Sequence, residues 1–82
     1  MVGVQKIRPD LDIGHNIQNL RKTAAMTQDQ VVAKLQLMGL NISKSTYAKL
    51  ETNRMNIKVS ELVALKKIFD VSFEDFFKGL II

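Results

Sequence analysis

The sequence predicts an all-α fold, a single domain of five short helices. Three observations carry that expectation. Apolar residues recur at three- and four-residue spacing through most of the chain. A Ser, Thr or Asp stands ahead of each such run, where its side chain can cap a helix. Long alternating apolar and polar runs are absent, as are Asn-Gly and Asp-Gly hairpin signals. The 82 residues suffice for one domain and not for two. A core of this size lies near the lower limit for independent stability, so help from an oligomeric partner is expected.

Residues 1–12 contain Gly3 and Pro9 without a clear period and read as an N-terminal arm. Asp12 caps a first helix running from Ile13 to about Ala25, with Ile13, Ile17, Leu20 and Ala24 in step. Thr27 opens the second, with Gln30 in the capping-box position. Val31, Leu35 and Met38 supply its apolar stripe, and Gly39 stops it. Ser43 caps a third helix ending near Thr52, and Ile42 and Tyr47 are spaced as a hydrophobic staple. That spacing assigns Tyr47 to packing rather than to stacking on a base. Asn53 follows, where a left-handed residue is often needed.

Ser60 is expected to cap a fourth helix through Phe69, with Leu62, Leu65 and Phe69 in step. Ser72 caps the last, in which Phe73, Phe76, Phe77 and Leu80 follow the i, i+3, i+4, i+7 pattern. Phe73 and Phe76 are expected to close the core. Phe77, Leu80, Ile81 and Ile82 then remain as a surplus of apolar surface, read as a self-complementary dimer contact.

Composition narrows the function. Apolar residues make up 46% and charged residues 24%, a globular balance. Without cysteine there is neither a disulfide framework nor a thiolate metal site. No apolar run approaches the roughly 20 residues of a membrane span, and the start lacks a secretory stretch. The chain is therefore expected to be cytoplasmic, with no membrane partner. His15, the single histidine, has no acidic residue at ligand spacing and reads as a helix-surface residue. Glu74 and Asp75 read as favourable charge in a first helical turn, not as a catalytic dyad. No Gly-rich phosphate loop is present. Neither an enzyme, a cofactor nor a metal is expected.

The net charge of +4 is concentrated. Residues 43–58 carry Lys44, Lys49, Arg54 and Lys58 against Glu51 alone. In the stretch NISKSTYAKLETNR, a helical wheel sets Tyr47, Leu50 and Thr46 on one side and Lys44, Ser45, Ala48 and Lys49 on the other. One face packs; its opposite is short, polar and basic. Small residues let a backbone come close to a surface, and lysines reaching past them can donate to guanine O6 and N7 in a major groove. The second helix begins at Thr27 and Gln28, whose terminal amides suit a phosphate. Two capped helices joined by a turn make a helix-turn-helix unit over about residues 27–52.

Three stretches, IGHNIQNLRKTAAMTQDQVVAKL, ISKSTYAKLETNR and SELVALKKIFDVSFEDFF, resemble the Cro/repressor-type (XRE family) helix-turn-helix domain over residues 13–78. The LR before TQ, the ST inside the third helix, the LE at its end and the DVS between the closing helices agree together. The resemblance implies a compact five-helix, lambda-repressor-like domain that binds double-stranded DNA, commonly as a homodimer. It implies phosphate contacts at Gln28, Arg54, Asn56 and Lys58, with Gln28 also bracing a base-reading side chain. It implies base-facing or adjacent phosphate-facing positions at Ser43, Lys44, Ser45 and Lys49, and a structural pair between Arg21 and Glu51. The sequence departs from the family in three places. The QLMGLN connection is longer than in the shortest members, so either the second helix gains a turn or the loop bulges. Asn53 replaces the frequent Gly, and Lys66 stands where a small apolar residue is usual, so either it snorkels outward or the helix is rotated slightly.

The expected function is a DNA-binding transcriptional regulator, a repressor on a two-fold operator. Two alternatives stay open: an antitoxin that binds both DNA and a partner protein, and a protein-interaction module whose DNA binding has lapsed.

Overall fold

Among the described residues five helices form in chain order: α1 (Ile13–Thr23), α2 (Gln28–Leu37), α3 (Lys44–Glu51), α4 (Val59–Phe69) and α5 (Phe73–Phe76). They are seen in a computed structural model that describes residues 13–79. The N-terminal arm with Asp12, and the tail residues Leu80, Ile81 and Ile82, lie outside the described residues. Helices α1 and α2 each pack on α3, while α5 packs on α1 and α4 on α2.

The starts of the helices follow local chemistry. The Thr27 hydroxyl accepts the Gln30 amide at 3.1 Å, and the Gln30 side-chain oxygen accepts the Thr27 amide at 2.8 Å. This reciprocal box satisfies two of the amides that a helix start leaves unpaired. Ser43 Oγ accepts the Thr46 amide at 3.1 Å, and the Asp75 carboxylate accepts the Ser72 amide at 3.0 Å. Helix α4 corrects the expectation of a Ser60 cap. It begins at Val59 because the Glu61 carboxylate accepts the Lys58 amide at 2.8 Å, which makes Lys58 the capping position.

The ends share one device. Ala25, Gly39, Asn53 and Asp70 all have positive φ and follow α1, α2, α3 and α4 in turn. At the first three, two hydrogen bonds close the turn. The left-handed residue donates to a carbonyl three back, and its successor donates five back, as Met26 does to Arg21, Leu40 to Leu35 and Arg54 to Lys49. This pairing settles otherwise orphaned carbonyls. It also decides the α2–α3 connection. The second helix stops at Leu37, and residues 38–43 cross to α3 as a loop. The Gln36 side chain fastens that loop by donating to the Ile42 carbonyl at 3.0 Å.

The core is built from Ile17, Val31, Leu35, Tyr47, Leu65 and Phe76, all fully buried. Ile42 and Tyr47 are both interior, as the staple requires. The Phe69 and Phe76 rings lie stacked with centroids 6.5 Å apart. Two expectations are corrected. Met38 is 44% exposed because the chain turns away at that residue. Phe73 is 42% exposed and lies under the Lys66 ammonium, 5.3 Å from its ring centre, so Phe76 alone of the pair closes the core. The same contact shows where Lys66 goes: outward, over an aromatic face. Helix α5 is a single turn, which leaves Phe77 half exposed beyond its end.

Helix α1 meets the end of α3 at Gly14. A methyl group there would sit 2.3 Å from the Leu50 carbonyl oxygen. Its amide donates to Asn53 Oδ1 at 2.9 Å. Asn16 joins α1 to the closing turn by donating to the carbonyls of Phe76 and Lys78, at 2.8 and 2.9 Å.

Candidate nucleic-acid interface

The orientation of α3 depends on a partly buried polar network beneath it. Arg21 on α1 donates from Nε to Glu51 Oε2 at 2.6 Å and from a terminal nitrogen to Glu51 Oε1 at 3.1 Å. The guanidinium also donates to the Met26 carbonyl at 2.9 Å. Gln28, the first residue of α2, donates to Glu51 Oε1 at 2.9 Å. One carboxylate at the end of α3 therefore joins three helices through a two-pronged fork and an amide.

The electrostatics follow from this geometry. Burial works to raise the Glu51 pKa, but hydrogen bonds from Arg21 and Gln28, with the Tyr47 hydroxyl close by, outweigh it and hold the carboxyl below its ordinary range. Arg21 is raised in turn, chiefly by its hydrogen bond to Glu51. The Tyr47 hydroxyl faces the same pair from inside the core, without a well-aligned hydrogen-bond partner. Burial above all, together with the neighbouring Glu51 carboxylate, pushes its ionisation far above the usual tyrosine range. At neutral pH the network holds one carboxylate, one guanidinium and a neutral phenol.

The opposite side of α3 carries the basic face. Lys44, Ser45 and Lys49 are exposed, with Ala48 half-buried between them. Lys44 Nζ lies 3.1 Å from Asp29 Oδ1, on the first turn of α2. Ser43 is exposed, but its hydroxyl is committed to the helix start, accepting the Thr46 amide and donating to Thr46 Oγ1 at 3.1 Å. That leaves Ser43 shaping the entry of α3 more than projecting from it. Arg54, Asn56 and Lys58 follow on the exposed loop, where Arg54 Nε donates to Thr52 Oγ1 at 3.0 Å. Thr27 is exposed at the α2 start. The basic residues thus run along one stretch of surface from α3 into the α3–α4 loop.

Gln28 differs from the expectation drawn for it. Its side chain is half-buried and its amide is turned to Glu51, so it braces the base of α3 rather than a projecting side chain. The residue in contact with a lysine of the basic face is Asp29, which the sequence pattern does not single out. An acidic residue in a first helical turn is ordinary, and its partner lies in another helix. Gly14, Asn16 and Gln36 are likewise tertiary contacts without a local sequence signal.

Among the described residues, no group of three or more His, Asp or Glu side chains is placed to hold a metal ion. No helix among them is long and apolar enough to cross a membrane. A family model described as helix-turn-helix matches residues 17–76. No curated protein and no solved structure matches the chain.

Proposed function

The chain belongs to the Cro/repressor-type helix-turn-helix family, whose domains bind DNA, and we propose that it is a sequence-specific transcriptional repressor that occupies a two-fold operator as a dimer. The observation that carries this reading is the division of α3. Its inner side is fixed through Glu51 to α1 and α2, and its outer side offers Lys44, Ser45 and Lys49 on small, closely approachable backbone. A helix held this firmly can present base-reading groups at a constant depth in a major groove. The backbone amides of Thr27 and Gln28 at the α2 start, with Arg54, Asn56 and Lys58 after α3, would set the register on phosphates. Ser43, Lys44, Ser45 and Lys49 would face the bases.

Dimerisation is assigned to the closing turn. Phe77 is 49% exposed and Phe73 42%, and the apolar residues Leu80, Ile81 and Ile82 follow them in the sequence. Two copies related by a two-fold axis would place two α3 helices one turn of DNA apart. Selection of bound fragments from a random duplex pool, with affinities measured at several salt concentrations, tests the whole reading. The expected winner is a palindrome held well above random DNA. Absence of enrichment, with only salt-labile binding, would overturn it.

One observation favours a second reading, that of an antitoxin or other partner-bound regulator. Leu37, 87% exposed, and Met38 stand beside Lys34, Lys67 and Ile68 along a shallow groove between α2 and α4. A domain this small does not need open apolar surface to fold. A small protein co-purifying with the chain in stoichiometric amount would support this reading over the first.

A further inference from the structure

We infer that Asp29, rather than Gln28, positions Lys44 for base reading, and that the pair sharpens the choice between operator and random DNA. The inference rests on the DNA-binding role proposed above. Its ground is the way α2 divides its first two residues between the two ends of α3. Gln28 reaches the far end and donates to Glu51 at 2.9 Å. Asp29 reaches the near end and meets Lys44 Nζ at 3.1 Å. Gln28 is therefore occupied inward, and the only acidic group against the reading lysines among the described residues is Asp29.

Both members of this pair are largely exposed, with side-chain exposures of 58% for Lys44 and 72% for Asp29. Such a pair contributes little to folding. Its effect lies in what it does to a lysine near DNA. A lysine ammonium is a compact charge on a flexible stem, with three donors and many accessible rotamers. Unheld, it settles on whichever phosphate is nearest, which adds affinity for every sequence and discrimination for none. Asp29 uses one donor, restricts the stem, and leaves two donors for a base edge. Its own negative charge also opposes close approach of phosphates. A base that accepts from the held ammonium offsets that repulsion, and a base that does not leaves it uncompensated.

The test compares the full chain with Asp29→Asn, Asp29→Glu, Lys44→Ala and the Asp29→Asn/Lys44→Ala pair. Each is titrated with the selected duplex and with a random duplex of equal length, across several salt concentrations. Asp29→Asn is expected to bind random DNA more tightly and to lower the specificity ratio by about tenfold, within the range of one good base contact. Its salt dependence should steepen by about one unit as Lys44 moves to a phosphate. Asp29→Glu should restore part of the ratio, and on the Lys44→Ala background the Asp29 change should leave the ratio unaltered. Thermal melting of Asp29→Asn should match the parent, which separates positioning from folding. Equal tightening on both duplexes, or an unchanged ratio, overturns the inference while leaving the function standing. A parent protein that binds both duplexes alike overturns both.

Discussion

Replacing Glu51 with Ala removes the acceptor on which three helices converge. The change leaves the Arg21 guanidinium without its carboxylate, and the Gln28 amide and Tyr47 hydroxyl without their neighbour. Stranding one half of a buried ion pair costs roughly 3–5 kcal/mol. Here the lower end applies, because the Arg21 side chain keeps 11% exposure and its bond to the Met26 carbonyl. A loss of about 3 kcal/mol is large against the roughly 4–12 kcal/mol expected for a domain of this length. The melting temperature should fall by about 12–24 °C. Circular dichroism during thermal and urea unfolding measures it. The double replacement Arg21→Met with Glu51→Leu should cost less than Glu51→Ala alone, since no charge is then stranded. A loss below about 1 kcal/mol for Glu51→Ala, or a double replacement as costly as both single changes together, would refute the reasoning.

The same network predicts an acid limit. The Glu51 carboxyl has a folded-state pKa below its ordinary 4.5, so its contribution is fully present above that value. It is lost as pH falls from 4.5 through the lowered folded value. The parent should lose stability over that window more steeply than Glu51→Ala, whose unfolding no longer includes this proton uptake.

Three further changes test the packing. Gly14→Ala forces a methyl group onto the Leu50 carbonyl and should destabilise by about 1–3 kcal/mol in urea titration, since backbone cannot give way as a side chain can. Ala25→Gly relieves a left-handed alanine and should stabilise by about 0.5–1 kcal/mol in the same assay. Phe77→Ser should weaken self-association in sedimentation while leaving helicity intact, as expected of an exposed residue at a dimer contact.

The sequence is most informative where structure is local. Thr27 with Gln30, Ser43 with Thr46, and the Ile42–Tyr47 staple are contacts between residues three to five apart, and each was legible as a pattern. Asn53 was legible for the same reason, because its own side chain tolerates the left-handed turn. Ala25 was not: an alanine announces no such conformation, and the hydrogen bonds that impose it come from Met26 and from its own amide. The start of α4 shifted because Glu61 captured the Lys58 amide ahead of the serine. Phe73 was assigned to the core on spacing alone, but a one-turn helix turns too little of its surface inward to bury two rings. The basic face was legible from charge and wheel position. The Asp29–Lys44 contact was not, because it joins two helices across a loop whose path the Gln36–Ile42 bond sets.

Affinities of Lys49→Ala and Lys58→Ala for the selected and the random duplex, at several salt concentrations, separate a reading helix from a merely basic one. If α3 reads bases, Lys49→Ala loses about 1–3 kcal/mol on the selected duplex and little on the random one. Lys58→Ala should instead weaken both alike and flatten the salt dependence by about one unit. Equal losses on both duplexes from the Lys49 change would contradict base reading by the outer face of α3.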